Sequence, residues 1–159
     1  MDHHQVEIQQ RGAGYLLRTE QRLSTPLDRV FEFFADAHNL QEITPPYLRF
    51  RILTPQPIDM QVGRLIEYRL RLHNIIPIYW QTEITAWEPP HRFVDEQRKG
   101  PYLYWIHQHQ FYASGTETVA VDEVRYRPRF ARLTQRWLVA RDLRDIFNYR
   151  ARHIARLLA

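Results

Sequence analysis

The chain has 159 residues, 44% of them hydrophobic and 13% aromatic, which suits a folded unit with a real core and excludes a disordered protein. It carries a net charge of +4, and the basic residues are nearly all arginine, with Lys99 the only lysine. Cysteine is absent, which excludes a disulfide framework, a thiol nucleophile and a thiolate metal site; there is no apolar run of membrane-spanning length, and the polar stretch MDHHQVEIQQR is not expected to act as a secretory leader.

In chain order, residues 1–12 read as a frayed polar tail containing His3 and His4, and residues 13–159 as one domain. The stretch YLLRTEQRL, within 14–23, reads as a first strand. Thr25-Pro26-Leu27-Asp28 then opens a helix: Thr25 is placed to cap it, Pro26 fits its first position, and Asp28 suits its positive end. Leu27, Val30, Phe31 and Phe34 form one apolar helical face. Asp36 is placed to cap a second short helix, which Thr44-Pro45-Pro46 stops.

Strands separated by Pro- and Gly-containing turns follow over residues 49–54, 64–72, 78–87, 91–97, 101–112 and 118–126. Connections this short imply an antiparallel meander. From about residue 131 to 157 there is neither Pro nor Gly, and Leu133, Trp137, Ala140, Leu143, Phe147, Ile154 and Leu157 recur with helical spacing. Ten arginines fall between Arg125 and Arg156 against two aspartates, Asp142 and Asp145, which reads as the solvated face of that helix. A one-sided antiparallel sheet needs cover, and this helix is the one element long enough to supply it. The expected class is α+β: a curved antiparallel sheet wrapped around a long C-terminal helix, with two short helices after the first strand.

The stretch PYLYWIHQHQFY carries the main chemical signal. Trp105, His107, His109 and Phe111 occupy alternate positions and therefore share one face of a strand. Two aromatics bracketing two imidazoles suit an apolar wall with a few inward polar groups; they equally suit a half-buried strand with satisfied histidines. Parity adds Phe93, Asp95 and Gln97 from the preceding strand and Asp122, Val124 and Tyr126 from the following one, with Tyr68 and Trp80 further out. The candidate ligand-binding residues are thus Tyr68, Trp80, Phe93, Asp95, Gln97, Trp105, His107, His109, Phe111, Asp122 and Tyr126.

Three roles compete for the polar members. His107 or His109, oriented by Asp95 or Asp122, could act as a general base. The same histidines with one of those carboxylates could chelate zinc, although spacing fixes no third ligand, so no metal is assigned. Or the four residues form a satisfied network that orients a ligand or stabilises the sheet. No cofactor is expected, since no glycine-rich phosphate loop or dinucleotide fingerprint is present.

The stretches TPLDRVFEFFADAHNLQEITPP, ITAWEPPHRFVDEQ, GPYLYWIHQHQF, DEVRYRP and RDLRDIFNYR, in this order and spacing, resemble the SRPBCC superfamily. That superfamily includes START domains, polyketide cyclase/dehydrase-like proteins and birch-pollen-allergen-like proteins; the nearest likeness is to small bacterial stand-alone members. The resemblance implies a helix-grip fold with a deep cavity for a lipid, polyketide, quinone or similar molecule. It implies no single reaction, because the superfamily mixes carriers, sensors and enzymes; an enzyme here would be a cyclase or dehydratase. The expected partner is a hydrophobic small molecule in a cytoplasmic protein. Nucleic acid is not expected, although the arginine-rich helix leaves RNA, ribosome or peripheral membrane contact as a further alternative.

Overall fold

The computed structural model describes residues 4–129 and 138–159. Eight strands form one sheet: β1 (Gln5–Arg11), β2 (Gly14–Leu23), β3 (Arg51–Ile52), β4 (Leu65–Leu72), β5 (Ile76–Glu88), β6 (Arg92–Lys99), β7 (Tyr102–Ser114) and β8 (Glu117–Pro128). Helices α1 (Leu27–Ala35) and α2 (Ala37–Glu42) follow β2, and α3 (Ala140–Leu157) ends the fold. The spatial order is β1-β2-β8-β7-β6-β5-β4-β3, every pairing antiparallel. This is the α+β helix-grip architecture expected from the sequence.

The first strand corrects the expectation of a frayed tail. Gln5–Arg11 pairs with β2 along its whole length, and His4, just before it, is half-buried. The segment is polar because it is a sheet edge, with only Val6, Ile8 and His4 turned partly inward. A second correction concerns the start of α1. Pro26 caps the helix without a side-chain bond, and the Thr25 hydroxyl donates instead to the Leu158 carbonyl, tying the start of α1 to the end of α3. Asp36 does cap α2, accepting from the His38 amide at 2.9 Å. The β7–β8 hairpin turns through Gly115, whose φ of +64° suits a residue without a side chain.

The inner face of the sheet is covered by α3 at one end and by α1 and α2 at the other. Leu143 and Phe147 of α3 pack with Leu17, Trp105, Val124 and Tyr126. Ile154 joins Phe31, Phe93, Phe111 and Ala120 in a second cluster. Trp87 packs on Phe31 and Phe93, a core role. Trp137 and Leu133, expected in the final helix, lie outside the described residues, as do Arg132 and Arg136.

Candidate functional site

Strand β7 sits mid-sheet, with β6 on one side and β8 on the other. Trp105, His107, His109 and Phe111 are its buried residues, in alternation with more exposed ones. Register then places the carboxylates. His107 lies opposite Asp95 of β6 and Val124 of β8; His109 lies opposite Phe93 and Asp122. Each imidazole thus has a carboxylate on one flank and an apolar residue on the other. The four polar side chains share the inner face within diagonal reach.

The result is a crossed network. His107 Nε2 lies 2.8 Å from Asp122 Oδ1, and His109 Nε2 lies 3.0 Å from Asp95 Oδ2. His109 Nδ1 also lies 2.8 Å from Asp122 Oδ1, out of alignment for a hydrogen bond, and His107 Nδ1 is 3.9 Å from Asp95 Oδ2. Thr82 donates its hydroxyl to Asp95 Oδ1 at 3.2 Å. The rings of His107 and His109 lie 3.8 Å apart, and His109 stacks on Phe93 at 4.1 Å.

Burial opposes charge on all four groups, and their mutual contacts decide the outcome. Despite burial, the two imidazoles hold the Asp122 carboxyl well below the usual carboxylate range, and Asp95 is lowered as well. His109 is pushed up against its burial by the close carboxylate of Asp122 and then by the hydrogen bond and charge of Asp95. His107 is pushed down by burial and by the charge of His109. One imidazolium and one neutral imidazole between two carboxylates is the arrangement these directions describe. As a coupled pair, the histidines titrate together.

A cavity of about 420 Å³ opens beside this network, between β4–β7, the short helices and α3. Tyr68, Trp80, Phe93, Asp95, Trp105, His107 and His109 line it. Four other candidates do not. Gln97 exchanges hydrogen bonds with the backbone of Tyr102, at 2.9 and 3.2 Å, and secures the β6–β7 turn. Phe111 is 1% exposed and packed under α1 against Phe31 and Phe34. Tyr126 is fully buried against Tyr15, Tyr102 and Trp105. Asp122 stands behind the imidazoles and reaches the cavity only through them. Phe111, Asp122 and Tyr126 are buried on the face that parity gives them; on the β8 side, however, Leu143 and Phe147 fill the space.

The sequence reading missed Arg150. It lines the cavity from α3, with its guanidinium carbon 5.1 Å from the Phe147 ring centre. Leu143, Ile146, Phe147, Arg150 and Ile154 fall at i, i+3, i+4, i+7 and i+11, so the helical repeat places this arginine on the inward face.

Asp95, His107 and His109 bring ligand-type atoms within 4.8 Å of one another, the composition of a metal triad. Of these atoms, His109 Nε2 hydrogen-bonds Asp95 and His107 Nε2 hydrogen-bonds Asp122, while His109 Nδ1 has no hydrogen-bond partner. Among the described residues no helix is long and apolar enough to cross a membrane.

A family model described as "Polyketide cyclase / dehydrase and lipid transport" matches residues 23–152. No curated protein shows significant sequence similarity to the chain. Among solved structures, protein Ms6760 from Mycobacterium smegmatis superposes with a TM-score of 0.70 at 16% identity, covering 97% of this chain and 98% of that one. Protein CV1439 from Chromobacterium violaceum gives 0.72 at 13% identity, covering 90% and 96%. Major latex-like protein 151 from Panax ginseng gives 0.69 at 13% identity, covering 92% and 99%. At these identities the likeness is one of fold.

Proposed function

Because the chain belongs to the polyketide cyclase/dehydrase and lipid transport family, we propose that it binds a hydrophobic small molecule between its sheet and its final helix. The observation that carries this reading is the cavity itself. Its volume falls within the ~300–1,000 Å³ of small-molecule sites, and its walls are mainly aliphatic and aromatic, with polar groups confined to a few positions. Such a wall gains from displacing water, and the polar groups orient what enters. Tyr68, Trp80, Phe93 and Trp105 would supply apolar contact, while Asp95, His107 and His109 would meet a polar substituent of the ligand. Native mass spectrometry of the purified protein tests the reading: a co-purifying lipid or aromatic compound, released on unfolding, is expected. Bare protein that also fails to take up any apolar compound would count against it.

A second reading, a cyclase or dehydratase, is favoured by the geometry of His107. If its Nε2 donates to Asp122, Nδ1 keeps a lone pair, and the ring borders the cavity. With His107 as general base, His107→Gln should abolish turnover and leave ligand affinity nearly unchanged. If the protein is a carrier, the same change alters affinity or selectivity alone.

A further inference from the structure

The polar cluster at the cavity has an uneven distribution of partners. It contains two carboxylates, Asp95 and Asp122, and each is engaged by an imidazole at hydrogen-bonding distance. Besides Arg129, a second guanidinium, that of Arg150, lines the same cavity from α3. Its Nε is buried without a hydrogen-bond partner, and among the described residues no carboxylate comes within ion-pairing distance of its guanidinium. Asp122, Asp95 and Tyr68 act on it only through their fields. A guanidinium stays charged at any ordinary pH, and a desolvated charge without a counterion is costly. Phe147, beneath the guanidinium, offers a ring face and no acceptor.

We propose that Arg150 is the receptor for a carboxylate on the ligand, so that the cavity takes an apolar molecule carrying one carboxylate head. The inference rests on the binding reading above and names the ligand class for that same site. Two features select a carboxylate. The planar fork of the guanidinium matches a planar carboxylate with two parallel N–H···O bonds. Asp95 and Asp122 stand nearby and disfavour a second negative charge. The apolar remainder of the cavity, from Leu40 to Leu72 and Trp80, would take the body of the molecule.

The test is calorimetric titration of the full chain at pH 8 with three amphiphiles of equal chain length: dodecanoate, dodecanol and dodecylamine, each below its micelle concentration. Dodecanoate should bind at least about tenfold tighter than dodecanol, with dodecylamine weakest, since a charge-assisted hydrogen bond changes affinity by roughly ten- to a hundredfold. Acetate at matched concentration should bind too weakly to detect, which separates an amphiphile site from a free-anion site. Arg150→Gln should weaken dodecanoate by about 10–100-fold and dodecanol by less than about twofold, and Arg150→Lys should restore part of the difference. Thermal unfolding of each variant controls for the fold; if Arg150→Gln does not fold, the ranking of the three amphiphiles on the unaltered protein decides. Equal affinity for dodecanoate and dodecanol in the unaltered protein overturns the inference, as does an equal loss of both in a folded Arg150→Gln. In those cases the cavity still binds apolar molecules and the reading under Proposed function stands. Failure of all three amphiphiles to bind removes both.

Discussion

Asp122→Asn should destabilise the protein more at pH 6 than at pH 9. Asp122 is 8% exposed, and its Oδ1 lies 2.8 Å from both His107 Nε2 and His109 Nδ1. The amide keeps the shape and can still accept one hydrogen bond, but it cannot neutralise an imidazolium. Below the raised pKa of His109, the folded protein holds the ring charged, and the substitution leaves that charge with Asp95 alone. Removing one partner of a buried pair costs about 3–5 kcal/mol, and the surviving hydrogen bond puts the expected loss near the lower end, about 3 kcal/mol at pH 6. Above that pKa the ring is neutral, only neutral hydrogen bonds are exchanged, and the loss should fall to about 1 kcal/mol. Urea unfolding followed by circular dichroism at the two pH values measures both numbers. A loss that is equal at pH 6 and pH 9, or below about 1 kcal/mol at pH 6, would refute the ion-pair account and leave Asp122 a packing residue.

The unaltered protein should be most stable near pH 6.5, the ordinary histidine value, as far as this cluster governs. His109, raised on folding, gives stability that is complete below that value and is lost as pH climbs through the raised pKa. His107, lowered on folding, makes stability fall as pH drops below 6.5, and Asp95 and Asp122 add a further loss as pH falls through their lowered values. A monotonic urea-midpoint profile between pH 4 and pH 9 would contradict these directions. Phe147→Ala, at a side chain 3% exposed, should cost about 3–5 kcal/mol by urea unfolding. Arg152→Gln and Arg156→Gln, both on exposed positions of α3, should each change stability by less than about 0.5 kcal/mol. Both should leave ligand affinity unchanged; an affinity loss without unfolding would move them into the binding site.

Much of the fold was legible because its strands alternate and its helices carry apolar stripes. β4 and β7 read directly as half-buried strands, and Pro46 and Gly115 marked turns, whereas Pro77 lies inside β5, paired with Arg71, and the turn falls at His73 and Asn74. Strand β1 was illegible for the opposite reason: as a sheet edge it needs no continuous apolar face, so Gln9, Gln10 and Arg11 look like tail. At the site, parity sufficed to bring Asp95, His107, His109 and Asp122 together, because a period of two fixes the face once the aromatics mark it as buried. Parity does not say what fills that face. Phe111 and Tyr126 point inward yet meet α1, α3 and neighbouring rings, which depends on helix placement. Arg150 was hidden by composition: among ten arginines near the C-terminus it looked like one more solvated charge, although its spacing from Leu143 and Phe147 marked it as inward.

The central claim, an apolar molecule held between sheet and final helix, is tested most directly by titrating an uncharged apolar fluorophore such as Nile red into the unaltered protein and into Leu70→Trp. Leu70 lines the cavity and is only partly buried, so an indole there can occupy the space without disturbing the core. The account predicts saturable one-to-one binding to the unaltered protein and at least about a tenfold loss in a variant of unchanged thermal stability. Equal binding to both proteins would place the probe on the surface and contradict the account.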